Sequence, residues 1–195
     1  MKTNVSIRSK KLKRSVLGVM FSLFVVSSAS HSLELSNQDQ YFEGLKALCG
    51  ARFEGAMTFP KDGQDSFAGK LLVANFDQCD ENQLRVPFVV GKDSSRTWIF
   101  SRIEGGLQLK HDHRHPDGTP DEVNMYGGMA NDSGTSLSQS FEADQHTAEV
   151  IPAASTNVWT VSLNPSGNEL SYHLERNAAQ RFTAVLKRVG SQKNN

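Results

Sequence analysis

Before Glu34 the chain has no acidic residue, and nowhere does it hold an apolar run long enough to cross a membrane. A spanning helix needs about 20 apolar residues, and the stretch 16–26 falls well short and is broken by Gly18 and Ser22. Cysteine is scarce as well: only Cys49 and Cys79 occur. That excludes zinc ribbons, iron–sulfur centres and disulfide-dense scaffolds, and their spacing matches no zinc or redox motif. The chain also lacks a Gly-x-Ser-x-Gly nucleophile elbow, a glycine-rich phosphate loop and a catalytic-type cysteine site. Asp132-Ser133-Gly134-Thr135 has the letters of an aspartic-protease triad. It sits in a polar loop, however, and a dyad needs a second carboxylate.

The opening residues have the three parts of a cleavable secretory signal. Lys2, Arg8, Lys10, Lys11, Lys13 and Arg14 form a basic start, 16–26 is the apolar segment, and small residues cluster at Ser27, Ser28, Ala29, Ser30 and Ser32. Residues 1–32 are therefore expected to be a signal peptide, with the product secreted or periplasmic and soluble, without a membrane span after cleavage. Six of the 21 basic residues lie in this leader and all 21 acidic ones follow it, so the remainder carries a net charge of about −6. Such a surface argues against nucleic acid as the partner. About 163 residues remain, enough for one domain with its own core. In an oxidising compartment Cys49 and Cys79 are expected to pair, closing a loop of about 30 residues.

Residues 36–48 have the spacing of a helix. Ser36 is the cap, Phe42, Leu45 and Leu48 share a face, and Gly50 is the stop. The period then changes from helical to alternating. The runs 86–90, 96–103, 158–163 and 170–174 are rich in β-branched and aromatic residues, with turn signals such as Gly91-Lys92-Asp93, Gly105-Gly106 and Asn164-Pro165-Ser166-Gly167 between them. Roughly ten strands about 8–12 residues apart predict an all-β fold, a single small antiparallel barrel over 33–190 behind one short helix. The segment 169–189 also suits a helix, but Tyr172, Phe182 and Val185 favour a hairpin turning near 177–180. Residues 131–139 read as a mobile polar loop, and 191–195 as a disordered tail.

The most informative run is Leu107-Gln108-Leu109-Lys110-His111-Asp112-His113-Arg114-His115-Pro116-Asp117-Gly118. On a strand, Leu107, Leu109, His111, His113 and His115 share one face. The leucines point inward and the histidines continue the inner row toward an open end. Imidazoles two residues apart on a strand are close enough to converge on one ion. His111, His113 and His115 are thus candidate ligands for zinc, copper or iron, with Asp117, Asp121 or Glu122 as oxygen donors. The alternative is a hydrogen-bonded rim without metal, built with Asp112 and Arg114. Trp98, Phe100 and Trp159 read first as core. Arg102 shares a face with Trp98 and Phe100, and Glu104 is a candidate partner for it.

This run, with Arg96-Thr97-Trp98, Tyr126-Gly127-Gly128 and Asn157-Val158-Trp159, resembles a group of uncharacterised bacterial exported proteins. More distantly, the layout of short helix, Gly50-to-Gly55 strand and serial hairpins resembles the calycins, the lipocalin-like and fatty-acid-binding-like barrels. What that resemblance implies is a barrel with room for a small ligand, not an activity. The leading expectation is a non-enzymatic barrel binding a small ligand or a metal, with Trp98, Phe100, His111, His113 and Arg114 in contact with it. The alternatives are a metal-dependent hydrolase or oxidoreductase using His111, His113 and His115, and a cell-envelope accessory protein that binds another protein.

Overall fold

The structure is a computed structural model in which residues 1–2, 34–63 and 65–190 are described. The leader reading for 1–32 and the tail reading for 191–195 lie almost wholly outside the described residues. The part from Glu34 onward is an all-β antiparallel, nearly closed barrel preceded by one short helix. No helix among the described residues is long and apolar enough to cross a membrane.

Helix α1 (Asn37–Lys46) begins where the sequence says it should. The Ser36 hydroxyl accepts the Asp39 backbone N–H at 3.1 Å, satisfying one of the free donors of the first turn. Its buried face is Tyr41, Phe42 and Leu45. Eleven strands follow: β1 (Arg52–Phe59), β2 (Leu72–Asn75), β3 (Gln78–Cys79), β4 (Gln83–Val90), β5 (Asp93–Ile103), β6 (Gly106–His113), β7 (Tyr126–Ala130), β8 (Ser138–Ala143), β9 (Asn157–Leu163), β10 (Glu169–Arg176) and β11 (Ala179–Val189). From β4 to β11 each strand pairs with its neighbour in sequence. β11 pairs back on β1, and β2 bridges β1 to β4 to complete the ring. Segment 169–189 is a hairpin turning at Asn177 and Ala178, as the alternation of Leu170 and Tyr172 with Phe182, Ala184 and Leu186 required.

Alternation also decides what fills the barrel. The inward rows of β4 and β5, Leu84-Val86-Phe88-Val90 and Trp98-Phe100, are all buried, while the residues between them are mostly part-exposed. Phe88, Trp98 and Tyr172 stack in sequence with ring centroids 4.3 and 4.6 Å apart. Phe100 meets Phe141 edge-on nearer to α1. Burying each such ring is worth about 1.5–3 kcal/mol, so this column supplies much of the driving force for closure.

Helix α1 plugs one end. The Tyr41 hydroxyl donates to the Val161 carbonyl at 3.0 Å, and the Gln38 side chain accepts the Leu107 N–H at 2.8 Å. Arg102, at the end of the inward row of β5, lies over the Phe42 ring and pairs with Glu43 and Asp39. Its partners are therefore helical carboxylates rather than Glu104, because the helix crosses the barrel end where the row terminates. The 131–139 segment is tied down as well. Asn37 donates to the Gly134 carbonyl, Asn131 organises a turn with Ser133, and Gln139 is fully buried at the start of β8. A second, six-residue helix, α2 (Gln145–Val150), follows β8 and has no counterpart in the sequence reading.

The Cys49–Cys79 disulfide joins the chain just after α1 to β3, stapling the plug to the wall across 30 residues. On the chain-entropy account a loop of this length is worth about 3.5 kcal/mol. Replacing both cysteines by alanine should lower the unfolding free energy by about that amount, without changing the far-ultraviolet spectrum of the native state. A denaturant titration checks this, and a loss under about 1 kcal/mol contradicts the staple.

Candidate functional site

The histidine-rich segment forms β6 and the turn after it. Leu107, Leu109 and His111 do continue one inward row, and His113 reaches the end of the barrel opposite α1. His111 is only 4 % exposed, and both its ring nitrogens are engaged. Nδ1 faces the Tyr126 carbonyl at 3.2 Å and Nε2 meets the Tyr172 hydroxyl at 2.8 Å. A carbonyl only accepts, so Nδ1 carries the proton and Nε2 accepts from Tyr172. Burial pushes the His111 pKa down to about 3, so the ring is neutral.

His113 is half-buried, and burial together with the nearby Arg96 charge lowers its pKa too. Its Nε2 lies 2.9 Å from the Tyr126 hydroxyl. The Tyr126 ring packs against both imidazoles, with centroids 4.7 Å from His111 and 5.3 Å from His113. His115 stands exposed in the 115–118 turn. Asp117 accepts from Thr119, Asp121 accepts the Val123 N–H, and Glu122 is exposed. Among the described residues no three His, Cys, Asp or Glu side chains come together as a metal cage. The row of histidines is real, and Tyr126 and Tyr172 engage both nitrogens of His111 and the Nε2 of His113.

Asp112 points to the other face and is 2 % exposed. Its Oδ2 receives Arg85 at 2.7 Å and Arg114 at 3.1 Å. Burial opposes its ionisation, but these two guanidinium groups outweigh that and hold the carboxyl below its usual range. Arg114 also donates to the Gly118 carbonyl, so it secures the turn on the outside of the wall. Trp98 and Phe100 are buried inside the barrel and do not line the cleft at this end.

Arg114 and His115 line an open surface groove with Ser94, Ser95 and Pro116, and the aromatic cleft at this end is built from other residues. A cavity of about 330 Å³ is walled by Phe67, Tyr126, Trp159, Tyr172 and Phe182, with Asn157, Arg176 and Arg181 at its polar side. Trp159 and Tyr172 are inward residues of β9 and β10, and Phe182 faces Tyr172 from β11. Phe67 comes from the β1–β2 connection and meets Phe182 edge-on at 5.2 Å, with the Arg96 guanidinium over its ring. Gly127 and Gly128 position Tyr126: a Cβ on either would collide with the Leu109 or Glu142 carbonyl, so only glycine lets β7 approach its neighbours this closely. The alternation that marks Trp159, Tyr172 and Phe182 as inward is visible in the sequence, as is the Arg176-to-Arg181 pair flanking a turn. Their convergence depends on ring closure, which no local pattern encodes. Compared with protein-family models, curated proteins and solved structures, the chain finds no match.

The lowered pKa values of His111 and His113 have a consequence for stability. The unfolded chain protonates both histidines near their ordinary value of about 6.5, whereas the folded chain keeps them neutral. The unfolded state thus binds more protons below that pH, and stability falls as the pH drops from about 6.5 toward about 3. Unfolding midpoints measured between about pH 7 and 5, above the ordinary carboxylate range, should decline with acid, and His111→Gln should shallow that decline. A slope unchanged in the variant contradicts the assignment.

Proposed function

We propose that this chain is an exported, non-enzymatic barrel, calycin-like in architecture, that binds a small organic ligand at the end opposite α1. The observation that carries the reading is the cleft of about 330 Å³ walled by five aromatic rings from separate strands and loops. That size lies within the roughly 300–1,000 Å³ range of small-molecule sites. Aromatic walls with a few fixed polar groups are the usual composition of such sites. The polar lining here, Asp65, Ser66, Asn157, Arg176 and Arg181 with the tyrosines, consists of groups suited to orienting a ligand.

The position of the site follows from the packed interior. Phe88, Trp98 and Tyr172 fill the barrel, so a ligand rests on Tyr172 and Trp159 instead of entering beside Trp98 and Phe100. His111 supports the floor through the Tyr172 hydroxyl, and His113 supports the wall through Tyr126. Both imidazoles thus act behind the tyrosines. The basic leader supports export, as does the disulfide, which belongs in an oxidising compartment.

Native mass spectrometry of the protein purified from its own compartment tests the reading. An organic adduct is expected on the wild type, weakened by about tenfold or more in Phe67→Ala, which removes one wall ring worth at least about 1.4 kcal/mol of contact. A bare mass, with no change in tryptophan fluorescence across a fragment set, contradicts it. A mass excess of one zinc, copper or iron would instead support the metal alternative.

A further inference from the structure

We infer that the cleft takes a compact, flat carboxylate, an aromatic acid or one of similar shape, whose charged group seats on Arg176. The inference rests on the ligand-binding reading above and names the class of ligand. Arg176 ends β10, and its Nε donates to the Asn157 Oδ1 at 2.8 Å. Asn157 is itself 4 % exposed and fixed at the start of β9, so this bond sets the plane of the guanidinium. The two terminal nitrogens of Arg176 have no acceptor among the described residues. A guanidinium held by Nε with its outer fork free is pre-organised for a planar, two-oxygen anion.

The charge around the fork points the same way. Arg181, across the β10–β11 turn, lines the same cleft and has no carboxylate partner among the described residues. The acidic group of the lining, Asp65, already accepts the Phe67 N–H in its own turn. Two arginines and one carboxylate therefore line the cleft, leaving it net positive on a protein that is net acidic beyond the leader. A cleft opposite in sign to the rest of the surface selects anions.

Shape comes from the rings. The Tyr172 hydroxyl spends its proton on His111, so the floor offers an anion no donor there. The carboxylate belongs at the arginine side, with the flat body resting on Trp159 and Tyr172 beside Phe67 and Phe182. Below the floor the stacked Phe88, Trp98 and Tyr172 fill the interior that a long acyl chain would need. The site accordingly suits a bicyclic acid better than a fatty one.

Calorimetric titration of the purified, disulfide-intact protein with naphthoate, naphthamide and dodecanoate tests this. Naphthoate should bind at least about tenfold more tightly than the neutral amide, the margin expected for a charge-assisted bidentate contact. Arg176→Gln should abolish the preference for naphthoate over the amide, and Arg176→Lys should recover only part of it. Unfolding midpoints confirm that the variants are folded, and the acid–amide comparison on the wild type needs no variant. Equal binding of acid and amide, or tightest binding of dodecanoate, overturns the ligand class while leaving a small-ligand barrel in place. Failure of all three probes to bind overturns the class, and with a bare native mass it removes the ligand-binding reading as well.

Discussion

The hydrogen bond from the Tyr172 hydroxyl to His111 Nε2 is the contact on which the rest of this end of the molecule depends. A buried imidazole is tolerated only if both nitrogens find partners, since an orphaned polar group there costs about 1–3 kcal/mol. Tyr172 supplies one partner from β10, and the Tyr126 backbone supplies the other from β7. Strands distant in sequence are thereby pinned across the barrel interior. The same bond holds the Tyr172 ring against Trp98, so the aromatic column ends at a fixed height. Everything above that height is cleft, and everything below is core.

The inward row of β5 shows how one strand serves both ends. Arg96, Trp98, Phe100 and Arg102 alternate along a single face, with an arginine at each mouth of the barrel and aromatics between. Each arginine lies over a phenylalanine, Phe67 at the cleft and Phe42 on the plug, and each is neutralised by nearby carboxylates. The apolar stem of a long cationic side chain covers ring surface while its head stays partly wet. The row can therefore run from end to end without burying an unpaired charge. Closure follows: the helix seals one end through Arg102 and Tyr41, the disulfide ties that seal to the wall, and the other end stays accessible.

Much of this was legible in the residues because the signals are local. Ser36 marks the helix start, and the period change after Gly50 marks the β region. The alternation of Tyr172 and Phe182 marks a hairpin where a helix also fitted. The two cysteines, with no other partner available, mark the disulfide. Helix α2 was not legible: it has six residues, and its buried contact is a threonine, Thr147, which bonds to Gly127 and leaves no apolar stripe to read. The cleft was not legible either, because its walls come from Phe67, Tyr126, Trp159, Tyr172 and Phe182, spread over more than half the chain. The histidine row drew attention as chemistry, and its place in the barrel matches the strand pattern. What the pattern does not contain is the pair of tyrosines that engage His111 and His113.

Nitrogen NMR of the imidazoles tests this account most directly. It predicts that His111 shows a protonated Nδ1 and an accepting Nε2 and keeps both signals unchanged down to about pH 5, because burial holds its pKa at about 3. Titration of His111 in the ordinary histidine range, or a shift of its Nε2 on adding zinc, would contradict the account and return the histidine row to metal chemistry.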